Sequence, residues 1–229
     1  MDKNIIRETF LKAITDTFNS YTNYGPRSSK KLISIHTWIA KTLITKLGDE
    51  YELVYYDGNV SEIQIDGKYY PKKVDIGIIY KKRPIAAISF KFVTSNYKQN
   101  SNNYFENLLG ETANLRRNNI GFGHFLVLRA FTPYFLRESY EFQRNPKKIE
   151  KINNHDLEKY VKLFKDGNYP HIPDVLGICI IDFNERNQAY FPDYKNELIF
   201  SEEMIHYLEN EFSVENFIEK IFHLCKLKS

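Results

Sequence analysis

Three stretches of this chain, Ile85–Val93, Phe122–Ala130 and Val175–Phe183, are almost unbroken in apolar residues, and each has the length of a strand. A strand with one wet face alternates apolar and polar residues, so an unbroken run needs cover on both faces. The flanking segments supply that cover at helical spacing. Ile5, Ile6, Phe10, Leu11, Ile14 and Phe18 mark one helix, and Leu32, Ile35, Trp38, Ile39, Leu43 and Ile44 mark a second over Ser29–Leu47, stopped by Gly48. The expected fold class is mixed α/β (α+β), with a central mixed sheet flanked by helices.

Between the second helix and the first apolar run the period falls to two. Tyr51–Tyr56, Glu62–Ile65, a turn at Asp66-Gly67, Tyr69-Tyr70 and Lys73–Tyr80 predict an antiparallel meander. The polar stretch Thr94–Asn103 predicts a loop and Asn103–Arg117 a helix. Further helices are expected over Asp156–Phe164, Glu202–Glu211 and Val214–Leu224. No repeat and no long linker divides the chain, so residues 1–229 are expected to form one domain, with N-terminal helices over 1–48, a core over about 51–130 and further elements over about 131–229.

The 229 residues carry 32 Lys+Arg against 29 Asp+Glu, a net charge of +3 that permits a nucleic-acid partner without requiring one. No apolar run reaches the ~18 residues of a membrane span, and the N-terminus lacks a hydrophobic leader, so a cytoplasmic protein with no membrane partner is expected. Two cysteines, Cys179 and Cys225, exclude a disulfide framework or zinc cluster and are expected to be buried and reduced. The histidines, among them His36, His124, His155 and His171, show no ligand or triad spacing and are expected to be satisfied or solvated.

One charge is out of place. Lys91 sits at the end of the first apolar run, where an ammonium needs a carboxylate partner. Asp75, alone among apolar neighbours on the preceding strand, is the leading candidate, because a hairpin through Lys81-Lys82-Arg83-Pro84 brings the two side by side. In the following helix Glu106 and Glu111 flank the apolar stripe Phe105, Leu108, Leu109, Thr112 and Leu115 on opposite edges. Either can point inward, but hardly both at one metal.

Asp75, then Ser89-Phe90-Lys91, then a helix carrying glutamate, resembles the PD-(D/E)xK nuclease superfamily, to which most type II restriction endonucleases belong. Two positions depart from the usual pattern: Val74 stands for the proline and Ser89 for the acid. The chain is similar to a restriction-enzyme subgroup in which Ser-x-Lys ends the strand and a helix glutamate supplies the missing carboxylate. The interval to Glu106, 15 residues after Lys91, is closer to that subgroup's spacing, whereas Gly110-Glu111-Thr112-Ala113-Asn114-Leu115-Arg116-Arg117-Asn118 fits its local pattern. Local pattern favours Glu111, because lengthening a surface loop costs less than turning a packed helix.

The resemblance spans roughly Ile63–Ala130 and implies a restriction-endonuclease-like core that hydrolyses phosphodiester bonds in double-stranded DNA with Mg²⁺, as a homodimer. Asp75, Glu111 and the Phe90 carbonyl would hold the ion, Lys91 would act on the attacking water, and Ser89 and Glu106 would support them. Asn96, Lys98, Gln99, Asn100, Asn102 and Asn103, beside that site, and Arg137 and Arg144 further on are the expected DNA contacts. A repair or structure-specific nuclease of the same superfamily, or a non-cleaving DNA-binding protein on the same fold, are the alternatives.

Overall fold

The structure, a computed structural model, describes residues 2–24, 29–136 and 145–229. Helix α1 (Lys3–Tyr24), a 3-10 turn (Ser29–Leu32) and α2 (Ile33–Leu47) open the chain. Gly48, at φ 88°, ends α2 as expected. There follow β1 (Tyr51–Tyr55), β2 (Ile63–Asp66), β3 (Pro71–Val74), β4 (Ile76–Tyr80), β5 (Arg83–Val93), α3 (Tyr97–Arg116) and β6 (Gly121–Arg129). The remainder is β7 (Phe131–Tyr134), β8 (Lys148–Lys151), α4 (Asn154–Lys165), β9 (Val175–Phe183), β10 (Ala189–Tyr190), α5 (Glu202–His206), a π-helical turn (Tyr207–Glu211) and α6 (Val214–Lys228).

The main sheet has the order β1-β4-β5-β6-β9-β10. β4 pairs antiparallel with β1 and β5, and β10 antiparallel with β9, whereas β5, β6 and β9 are mutually parallel neighbours. The three apolar runs are therefore the adjacent central strands, with helices on both faces. Ile88, Phe90, Phe125 and Ile181 face α1, α2 and α6; Ala87, Leu126 and Ile178 face α3, α4 and the α5 region. α6 lies so close to the sheet that a Cβ on Gly123 would sit 2.4 Å from Ile221 Cδ1. Phe125 and Phe217 stack there with centroids 4.6 Å apart, each ring contributing about 1.5–3 kcal/mol by its burial. Both cysteines are buried free thiols. No helix among the described residues is long and apolar enough to cross a membrane.

Two expectations need correction. The strand expected over Lys73–Tyr80 is two strands, broken at Asp75: β3 leaves the main sheet to pair with β2, so the meander carries an inserted hairpin whose turn includes Tyr69 and Tyr70. The break follows from Asp75 accepting the Phe90 N–H, which turns its carboxylate onto β5 instead of continuing a ladder. Thr94–Asn103 is not a loop, because α3 already begins at Tyr97. Tyr97 is fully buried and its hydroxyl donates to the Asp156 carbonyl at 3.1 Å, which anchors the first turn.

Candidate active site

Register places the first two residues of interest. Ile76 pairs with Ile88 and Gly77 with Ala87, so Asp75 falls opposite Ser89. The Phe90 N–H donates to Asp75 Oδ2 at 2.7 Å and holds the carboxylate between Ser89 and Lys91. By strand alternation Ser89 and Lys91 share the face of Ala87, towards α3, while the Phe90 ring lies on the other face.

α3 returns over that face and delivers Glu111. Asp75, Ser89, Lys91 and Glu111 line one small cavity of about 50 Å³ together with Lys72, Lys73, Val74 and Phe122. The Glu111 side chain is 15% exposed and pairs with Lys72 Nζ at 2.7 Å. Burial alone would raise the Glu111 carboxyl, but the Lys72 hydrogen bond and the Lys91 charge hold it below its ordinary value. Glu106, five positions earlier and about 140° around the axis, is exposed and does not line the cavity.

The donor set suits a hard cation that keeps its own waters. Among the described residues no group of three or more His, Cys, Asp or Glu is arranged to cage a metal. Mg²⁺ needs no such cage, since one or two carboxylates plus waters and substrate oxygens complete its shell. Asp75 and Glu111 meet that requirement. The Phe90 main chain meets Asp75 through its N–H, whereas the expected carbonyl ligand belongs to the next peptide group.

One cavity residue, Lys72, and three residues that feel its charges, Glu62, His124 and His36, escaped the sequence reading as parts of the site. Lys72 follows from the hairpin register, which pairs it with buried Ile65 and turns it inward. The carboxyl of Glu62, half-buried before β2, is raised by burial and then by the charge of Asp75, with Lys73, Lys91 and Lys72 opposing. His124 pairs in register with Ser89 and is 2% exposed, with no partner for Nδ1. Burial, reinforced by the Lys91 charge and opposed by Glu111, pushes it down to about 3. His36 packs edge-on to the Phe90 ring at 5.8 Å, with neither ring nitrogen hydrogen-bonded. Its value is lowered by burial, with Asp75 opposing and Lys91 reinforcing. Contrary to expectation, His36 is buried with both ring nitrogens unpartnered and His124 is buried with Nδ1 unpartnered, while His155 and His171 are solvated.

The expected DNA contacts fare differently. Asn96 sits at φ 52° before α3, its Oδ1 accepting the Phe135 N–H at 2.9 Å and its Nδ2 donating to the Phe135 carbonyl at 2.7 Å. Asn100 donates to the Asn96 carbonyl, Gln99 to the Glu150 carboxylate, and Lys98 pairs with Asp156. Asn102 accepts from Lys159, and Asn103 is exposed. Most of these side chains are bound within the protein, and Gln99 lies about 18 Å along the helix from Glu111. Arg137 and Arg144 lie outside the described residues. Comparison with known proteins gives no match, whether to a family model, a curated protein or a solved structure.

Proposed function

We propose that the chain is a Mg²⁺-dependent type II restriction endonuclease of the PD-(D/E)xK kind, hydrolysing phosphodiester bonds in double-stranded DNA. The observation that carries the proposal is that Asp75 from the corner between β3 and β4, Ser89 and Lys91 from β5, and Glu111 from α3 line one cavity at the edge of a β4-β5-α3-β6 unit. The expected ion pair between Asp75 and Lys91 is not formed: Asp75 accepts the Phe90 N–H instead, and a register-fixing pair would in any case need only those two residues. It gives no reason for a half-buried glutamate 20 residues beyond Lys91 to face the same 50 Å³.

Hydrolysis forms a bond from water oxygen to phosphorus and breaks the bond to the 3′-oxygen, leaving a 5′-phosphate and a 3′-hydroxyl. Lys91 would orient the attacking water, help remove its proton and stabilise the growing phosphate charge. Asp75, fixed by the Phe90 N–H, and Glu111, fixed by Lys72, would hold Mg²⁺, which when bound supplies positive charge at the phosphate. Ser89 would support the carboxylates from behind. A homodimer would match a palindromic site by two-fold symmetry. Plasmid DNA incubated with the protein in Mg²⁺ should give discrete fragments, abolished by EDTA. Nonspecific degradation or nicking would favour the repair-type nuclease, and an intact plasmid with a retained gel shift the non-cleaving protein.

A further inference from the structure

We infer that Lys72 is an exchangeable counter-ion: its ammonium holds Glu111 while no divalent cation is bound, and passes to a DNA phosphate when one is. The inference rests on the proposed metal-dependent site. Three features make the pair more than a surface contact. Lys72 Nζ and Glu111 Oε1 are 2.7 Å apart with side chains 32% and 15% exposed, inside the cavity that also holds Asp75 and Lys91. The two residues come from elements 39 positions apart, so local chain geometry does not impose the contact.

The hairpin is also locked to α3 one turn beyond Glu111. Asn114, 1% exposed, accepts the N–H groups of Tyr69 at 2.9 Å and Tyr70 at 3.4 Å through Oδ1, donates to the Tyr70 carbonyl at 3.0 Å, and accepts the Lys68 N–H at 2.8 Å on its own carbonyl. Asn118 donates to the Asp66 carbonyl at 2.7 Å. Gly67 leaves the room this requires, since a Cβ there would lie 2.1 Å from Asn114 Nδ2. The fold therefore delivers Lys72 to Glu111 by construction.

A cation shared by Asp75 and Glu111 competes with that ammonium for the Glu111 carboxylate and repels it in a cavity with room for only a few waters, which favours its release. Once released, a flexible four-carbon stem leaves the ammonium beside the phosphate that the cation attracts. Cation binding and phosphate binding are then coupled through one side chain.

The test uses the full chain, a mixed-sequence duplex and Ca²⁺ or Mn²⁺. Lys72→Met should bind Mn²⁺ about tenfold more tightly than wild type in titrations without DNA. Its DNA affinity in Ca²⁺ should fall less steeply with salt, by about one unit of log–log slope, while in EDTA the two proteins share one slope because Lys72 is then held by Glu111. Unchanged or weaker Mn²⁺ binding, or the same slope difference with and without Ca²⁺, would overturn the inference. Should Lys72→Met and Lys72→Gln both fail to fold, Glu111→Gln supplies the test: with Lys72 freed, its EDTA slope should rise to the wild-type Ca²⁺ slope, and no rise overturns the exchange. If Mn²⁺ binding is instead indifferent to Asp75→Asn and Glu111→Gln, the metal site itself is wrong.

Discussion

The two halves of α3 are similarly polar and differently used. Between Asn96 and Asn102 the amide and lysine side chains reach Phe135, Glu150, Asp156 and Lys159, tying the helix to β7, β8 and α4. Further on, Glu111, Asn114 and Asn118 face the inserted hairpin and the cavity at the end of β5. One half braces the fold and the other lines the candidate site. What separates them is the element each half packs against, a property of the whole fold that residue type does not report.

Substitutions can break this division. The largest effects belong to the cavity: Asp75→Ala and Lys91→Ala should each abolish Mg²⁺-dependent plasmid cleavage while leaving DNA binding measurable by gel shift in Ca²⁺. Normal cutting by either would remove the nuclease assignment. Ser89→Glu placed in a Glu111→Ala background should recover part of the activity, by returning a carboxylate to the strand.

In the scaffold half the readout should be stability instead. Asn96→Ala removes a two-way bond to Phe135 from a residue held at positive φ and should cost about 1–3 kcal/mol in urea unfolding. Gln99→Ala and Asn102→Ala should change stability by less than about 1 kcal/mol and leave the fragment pattern intact. A changed cutting pattern in any of the three would move base readout into this half.

Acid should act through the two buried histidines near the cavity, His124 on β6 and His36 on α2. His124 and His36 have folded values below the ordinary 6.5, so below that pH the unfolded chain takes up protons that the folded chain refuses. Stability is then complete above about pH 6.5 and declines as pH falls, for His124 down to about 3, by up to about 1.4 kcal/mol per pH unit for each group. Urea midpoints at successive pH values should fall less steeply for His124→Asn than for wild type. Parallel declines would place the acid sensitivity elsewhere.

The sequence announces whatever burial alone dictates. β9 matches its expected span, and β5 and β6 nearly match theirs, because an unbroken apolar run has one stable place, at the centre of a covered sheet. The early start of α3 is silent, since Tyr97 and Asn96 favour a helix start only once Asp156 and Phe135 are beside them. The break at Asp75 is silent too, because only the Phe90 N–H turns a strand residue into a corner. Lys72, one residue before the strand expected over Lys73–Tyr80, is silent as well, because its inward direction depends on the Ile65 register. The residues around Glu111 favour it over Glu106 as the acid of the site, and in the structure Glu111 lines the cavity while Glu106 is exposed.

That last contrast gives the most direct measurement. Cleavage of plasmid DNA in Mg²⁺ should be measured for Glu111→Ala and Glu106→Ala side by side, with both proteins verified as folded. The account predicts no cutting by the Glu111 variant and retained, partly reduced cutting by the Glu106 variant. A silent Glu106 variant beside a fully active Glu111 variant would contradict it.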